Sequence, residues 1–156
     1  MRTYEIPDFG TLHLTDLVLD FNGTLATDGL LLPGLGERLQ RLGADMTLHV
    51  VTGDNHGTAA RELQGLGCKL HVLPSMDQGR IKREYVLALG PVGVVAIGNG
   101  RNDARMLQAA ALGIAVLGEE GCAAQTLVAA DLLARSIMDA LDMLLYPQRL
   151  VATLRA

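Results

Sequence analysis

Residues 17–25 read LVLDFNGTL: three aliphatic residues, an aspartate, and then a phenylalanine and a turn carrying Asn22, Gly23 and Thr24. A short aliphatic run without polar alternation is what a strand buried on both faces looks like. The run ends on a carboxylate, and the Asn-Gly pair behind it breaks the extended chain. The same build recurs along the sequence. MTLHVV (46–51) leads into Thr52-Gly53-Asp54, and KLHVL (69–73) is a third strand. VGVVAIG (92–98) leads into Asn99 and GRND, LGIAVLG (112–118) follows, and ADLLA (130–134) is a sixth. Residues 4–14 read as an N-terminal hairpin. LATDGLLL (25–32) carries Asp28-Gly29 between extended pieces, which predicts a small hairpin flap just past the first core strand.

Helical patterns lie between these strands at 36–42, 56–66, 78–89, 103–110 and 123–127, with a last one from 137 toward 155 that Pro147 must break or kink. Gly43, Gly67, Gly90 and Gly113 follow four of these stretches, as helix stops. Alternation of strand and helix predicts an α/β fold: a doubly wound, Rossmann-like parallel sheet with helices on both faces, spanning 1–156 as one domain.

Composition narrows the function. The chain has 156 residues, 49% of them apolar, and a net charge of -4. It can bury a real core, and its modest charge excludes a disordered polyelectrolyte. No basic stripe and only five aromatic residues argue against a nucleic-acid partner. The N-terminus lacks a signal-peptide core, and no apolar run reaches the ~20 residues of a membrane span, so we expect a cytoplasmic protein without membrane contact. Cys68 and Cys122 are isolated and read as reduced, mostly buried thiols.

In an open parallel sheet, ligands bind beyond the carboxyl ends of the strands. The polar residues that follow the first, second and fourth strands are Asp20 with FNGT, Thr52-Gly53-Asp54, and Asn99 with GRND. Each cluster alone can be a cap or a turn. Three of them on strand ends that should be neighbours make a site: a carboxylate that can act as nucleophile or hard metal ligand, a hydroxyl, amides, and glycines that let backbone N–H groups approach an anion. Lysine occurs only at 69 and 82, against eleven arginines. A compact ammonium at Lys82 suits a bridge between carboxylate and phosphoryl oxygens.

Taken in this order, the pieces resemble the haloacid dehalogenase superfamily. DFNGTL (20–25) looks like its first motif, whose leading aspartate attacks phosphorus. Thr52 matches the second-motif hydroxyl and Lys82 the third-motif lysine. GNGRND (98–103) looks like the acidic fourth motif that completes a magnesium site. The TGD triplet and the GxGxND loop are similar to soluble phosphatases related to the phosphorylation domain of P-type cation pumps. The resemblance spans about 17–117 and implies a Mg²⁺-dependent phosphohydrolase or phosphotransferase that forms an aspartyl phosphate at Asp20. The implied roles are Asp20, Asn22, Thr52 and Lys82 in catalysis; Asn22, Gly23, Thr24, Thr52, Gly53, Lys82 and Asn102 around the phosphate; and Asp20, Asn22 (through its carbonyl), Asn99 and Asp103 around the metal. Asp54 and His56 are secondary, and His56 reads as the start of a helix.

Two positions depart from the pattern. Asn22 stands where phosphatases of this kind carry a second aspartate as general acid and base. Asn99 stands where the fourth motif usually opens on an acid. The first change puts fast hydrolysis in doubt, and the second predicts weaker metal binding. The spacing leaves no room for a cap domain, which implies a capless protein acting on a small phosphorylated substrate or a phosphoprotein, with copies of itself closing the site in a homo-oligomer. Two other readings stand beside this one. A receiver-type signalling domain also presents Asp, Thr and Lys at strand ends, but its acceptor follows an acidic pair absent here. A non-catalytic phosphate- or partner-binding descendant would explain both asparagines.

Overall fold

The computed structural model describes residues 1–156. An antiparallel hairpin of β1 (Arg2–Ile6) and β2 (Gly10–Leu14) leads into β3 (Asp16–Leu19), the first strand of the main sheet. The flap follows as β4 (Ala26–Thr27) and β5 (Leu30–Leu31), with Asp28 and Gly29 both at positive φ (52° and 78°), the turn that Asp-Gly favours. The chain continues through α1 (Leu35–Gly43), β6 (Thr47–Thr52), α2 (Ala59–Glu62), β7 (Cys68–Val72), α3 (Gln78–Leu89), β8 (Val94–Gly98), α4 (Ala104–Ala109), β9 (Leu112–Val116), α5 (Ala124–Ala129), β10 (Leu132–Ala134), α6 (Ile137–Leu145) and α7 (Pro147–Leu154).

The main sheet has six parallel strands in the order β10-β9-β8-β3-β6-β7. The chain starts in the middle at β3, moves outward through β6 and β7, then crosses back to build β8, β9 and β10 on the other side. This is the doubly wound topology expected, and its direction reverses between β3 and β8, where a crevice opens at the carboxyl ends. Asp20 donates its N–H to the Ile97 carbonyl at 3.0 Å, so the ladder runs one residue past β3 and fixes Asp20 at that crevice.

Side-chain alternation then decides which face each group meets. Leu17, Leu19, Val50, Val95 and Ile97 point to the larger core, formed with α1, α6 and the β1–β2 hairpin. Val18, Val51, Val94 and Ala96 point the other way, onto Val86 of α3 and Met106 and Leu107 of α4. Asp20, two residues after Val18, shares this second face. In α1 the buried Leu35, Leu39 and Leu42 recur at helical spacing. In α3 the two buried positions are Lys82 and Val86, one turn apart, so a lysine occupies a core position of that helix.

Several boundaries move for identifiable reasons. The helix expected at 56–66 shrinks to the single turn α2, because Gly57, Gly65 and Gly67 all take positive φ around it. Asp54 caps that turn, accepting the N–H groups of Thr58 and Ala59 at 3.0 Å each, so His56 precedes the helix instead of starting it. Gly113 is not a helix stop. It lies inside β9, where the missing side chain lets the α4 backbone at Leu107 pack against it. The fourth strand starts at Val94, after a 3₁₀ turn at Pro91–Gly93. The C-terminal region divides at Pro147 as expected, and Leu141, Leu144 and Leu145 are buried in the core. The Tyr4 hydroxyl ties the hairpin to α6 by donating to the Leu144 carbonyl at 2.7 Å. No helix is long and apolar enough to cross a membrane.

Candidate functional site

The crevice between β3 and β8 gathers Asp20, Thr24, Lys82, Asn99, Asn102 and Asp103, with Thr52 at the end of β6 beside it. Lys82 Nζ donates to Asp20 Oδ1 and to Asp103 Oδ1, both at 2.7 Å, and lies 3.5 Å from Asn102 Oδ1. All three ionised side chains are almost fully buried, with side-chain exposures of 8% for Asp20, 1% for Lys82 and 0% for Asp103. One ammonium shared by two carboxylates leaves one negative charge uncompensated away from water. Burial therefore pushes the Asp20 carboxyl up, the Asp103 charge adds to the rise, and Lys82 opposes it only in part, giving about 7. Burial pulls Lys82 the other way, but the two carboxylates outweigh it and hold the ammonium above its ordinary value.

The remaining bonds separate the oxygens into satisfied and unsatisfied ones. Asp103 Oδ2 accepts the N–H groups of Asn99 (3.0 Å) and Gly100 (2.8 Å), so both oxygens of Asp103 are engaged. The loop that carries Asn99 is held from behind: Ala123 N–H donates to the Asn99 carbonyl at 2.8 Å, and the Asn99 amide donates to the Gly121 carbonyl at 3.0 Å. Asp20 Oδ2, in contrast, has a single side-chain donor, the Thr24 hydroxyl at 3.4 Å, and the same hydroxyl lies 3.3 Å from Asn99 Oδ1. A single O–H serves one of these at a time. The Asn22 carbonyl accepts no protein N–H, and Asn22 Oδ1 is buried without a hydrogen-bond partner.

Asp20 Oδ2, Asn99 Oδ1 and the Asn22 carbonyl thus form a set of hard oxygens short of donors, beside an excess negative charge. That donor set fits an oxygen-seeking divalent cation. It contains no group of three or more His, Cys, Asp or Glu side chains, because Asn22 and Asn99 supply amide or backbone oxygen where acids would add charge.

The anion-binding side divides in the same way. Gly23 and Thr24 N–H donate to the Ala26 and Phe21 carbonyls, closing the turn on itself. The N–H groups of Asn22 and Gly53 have no protein acceptor. Gly23 serves the site by its conformation: its φ is 79°, and a Cβ there would collide with the Asn99 side chain. Thr52 is 1% exposed and accepts the Asp54 N–H at 3.0 Å, which leaves its hydroxyl proton free to donate. Asp54 and His56 stand outside this ring, Asp54 as the cap of α2 and His56 against Gly29 of the flap.

Gln78 is a participant the sequence reading missed. It accepts from the Asn102 amide at 3.0 Å, donates to the Pro74 carbonyl at 3.1 Å, and leaves no room for a Cβ at Gly53. The signal was available, since Gln78 is one helical turn before Lys82 and so shares its face. Cys68 and Cys122 are free and half-buried, and burial pushes the Cys68 thiol up to about 11, leaving no reactive thiolate.

No protein-family profile matches the chain. An uncharacterized protein of Methanocaldococcus jannaschii is 48% identical over 62 residues, which is 40% of this chain and 67% of that protein. Among solved structures, 3-deoxy-D-manno-octulosonate 8-phosphate phosphatase from Moraxella catarrhalis, in complex with magnesium, phosphate and KDO, superposes with a TM-score of 0.70 at 20% identity, covering 90% of this chain and 91% of that one. The cobalt-bound Haemophilus influenzae enzyme of the same description gives 0.70 at 16% identity over 92% and 94%. A phosphoserine phosphatase in apo form gives 0.63 at 15% identity over 85% and 98%. These likenesses extend over nearly the whole chain, and the element order leaves no domain inserted between the flap and α1 or between β6 and α3. By fold, the chain is therefore similar to these phosphatases, without an inserted cap domain.

Proposed function

We propose that the protein is a metal-dependent phosphohydrolase or phosphotransferase that works through an aspartyl phosphate on Asp20. The observation that carries this reading is the buried Asp20–Lys82–Asp103 chain at the switch point of the sheet, with both Lys82 contacts at 2.7 Å. A chain of this kind has little structural rationale. A buried ion pair is weak evidence for stability, and two carboxylates on one ammonium leave a net charge away from water. It is explained if a divalent cation joins the site and reverses its net negative charge, so that an anionic substrate can enter.

In this mechanism an Asp20 carboxylate oxygen attacks phosphorus in line. The bond from phosphorus to the leaving-group oxygen breaks as the new O–P bond forms, and the leaving group departs with the electron pair. Lys82, Thr52 and the Asn22 and Gly53 N–H groups receive the phosphoryl oxygens. A divalent cation, in this reading Mg²⁺, would be held by Asp20, Asn99 and the Asn22 carbonyl and would offset repulsion between carboxylate and phosphate. Asp103 keeps Lys82 and the 99–100 loop in place. Water then attacks the aspartyl phosphate, returning the Asp20 carboxylate and releasing phosphate.

Asn22 governs the rate of both halves. An amide neither protonates a departing alkoxide nor takes a proton from the attacking water, and losing such a group lowers rates ~10²–10⁴-fold. Leaving groups that depart without a proton, such as phenolates and the carboxylates of acyl phosphates, are therefore favoured, and the aspartyl phosphate is slow to break down. The second reading, a non-catalytic phosphate- or partner-binding protein, rests on the same two residues, Asn22 and Asn99. The test is release of phosphate from acetyl phosphate with and without Mg²⁺, for wild type, Asp20→Asn and Asn22→Asp. Mg²⁺-dependent release that Asp20→Asn abolishes and Asn22→Asp accelerates supports the enzyme. Release absent from all three supports the binding protein.

A further inference from the structure

The largest concavity of the molecule, about 1030 Å³, lies beside the candidate site, where the start of α3 faces α4 and α5. Asn102, which contacts Lys82, also lines this groove, so the two are continuous. Arg101 and Arg105 stand along it one helical turn apart, and neither has a carboxylate partner. In a chain of net charge -4, where six of the eleven arginines are paired with acids, two unpaired ones on one wall are an uncompensated positive stripe. The one carboxylate in the groove, Asp77, is already engaged by Arg80 at 3.4 Å. Gln108 and Gln125 add amides that can pair with a peptide backbone, and Val128, 85% exposed, adds an apolar contact.

We propose that this groove docks an acidic polypeptide segment that carries the phosphorylated residue into the site; the inference rests on the phosphotransfer reading above and names its substrate class. Two features select a polypeptide over a small metabolite. The volume is at or beyond the upper end of small-ligand pockets, ~300–1,000 Å³. The arginines, ~6 Å apart as neighbours on a helix face, match the ~6.5–7 Å between alternate residues of an extended strand, so carboxylates two positions apart on a peptide reach both guanidinium groups. Arg101 adjoins Asn102, so these acids lie within a few residues of the phosphorylated one.

The test is fluorescence anisotropy with two labelled phosphotyrosine peptides, one with glutamates two and four residues from the phosphotyrosine and one with alanines there. Binding is measured to the Asp20→Asn chain, with and without Arg101→Ala/Arg105→Ala. Phenyl phosphate hydrolysis by the chain with Asp20 intact serves as a parallel assay of the site. We expect the acidic peptide to bind about tenfold more tightly, the advantage to shrink with added salt, and the double substitution to remove it while phenyl phosphate hydrolysis is unchanged. Equal binding of both peptides, or an advantage that survives the double substitution, overturns the docking inference and leaves the phosphotransfer reading intact. Arginine-dependent binding of citrate as tight as that of the peptide also overturns it, in favour of a small polyanion. No phenyl phosphate hydrolysis by wild type, with the peptide preference retained, overturns the phosphotransfer reading alone.

Discussion

Replacing Asp20 by Asn should stabilise the metal-free protein, although it removes one member of a buried ion pair. The folded state raises the Asp20 carboxyl from 3.8 to about 7, with burial and the Asp103 charge as the causes. A carboxyl raised on folding binds more protons in the native state than in the unfolded one. Its contribution to stability is therefore neutral below about pH 4 and becomes unfavourable as the pH rises toward 7. Three pH units at about 1.4 kcal/mol each set a ceiling of about 4 kcal/mol. Because Asp20 also holds Lys82, and an amide oxygen can still accept from that ammonium, the expected gain is about 1–4 kcal/mol. For a chain of this size that corresponds to a rise in Tm of about 3–15 °C. The assay is thermal unfolding of wild type and Asp20→Asn in EDTA at pH 4.5, 6 and 8. The difference should be small at pH 4.5 and full at pH 8. A variant less stable than wild type at pH 8, or a gain that does not change with pH, would refute the charge accounting of the site.

Other consequences follow from the same contacts. Lys82→Met leaves two buried carboxylates facing each other and should lower stability at pH 8 by about 3–5 kcal/mol, with partial recovery at pH 5, read by urea unfolding at both values. Asn22→Asp should raise steady-state phosphate release about 10²–10⁴-fold, with the largest gain on alkyl phosphates, whose leaving groups most need a proton. Gly23→Ala places a side chain at positive φ against Asn99; Mg²⁺ titration of activity should show an affinity about tenfold weaker or worse.

The fold was readable because the runs 17–19, 94–97 and 112–117 are aliphatic or glycine with no polar interruption, and because Asp20, Gly98 and Gly118 follow them. Their order then leaves few ways to wind a parallel sheet. The segment after β6 was not readable, because its helix-like composition is overridden by three glycines at positive φ and by the Asp54 cap. Gly113 was misassigned for a related reason: a glycine needed for close packing has the same letter as one needed for a turn. Within the site, the sequence singled out Asp20, Thr52, Lys82, Asn99 and Asp103, and the structure brings all five to one end of the sheet. It could not distinguish which backbone groups stay free. That Gly23 and Thr24 spend their N–H groups on the turn, while Asn22 and Gly53 do not, depends on hydrogen bonds among residues 21–26 and on the end of β6.

The central claim is a covalent bond to one oxygen of Asp20, and intact-protein mass spectrometry after incubation with Mg²⁺ and acetyl phosphate tests it directly. The account predicts a single phosphoryl adduct on wild type, none on Asp20→Asn, and a shorter-lived adduct on Asn22→Asp. An adduct that persists on Asp20→Asn, or wild type that neither gains an adduct nor releases phosphate, would contradict it.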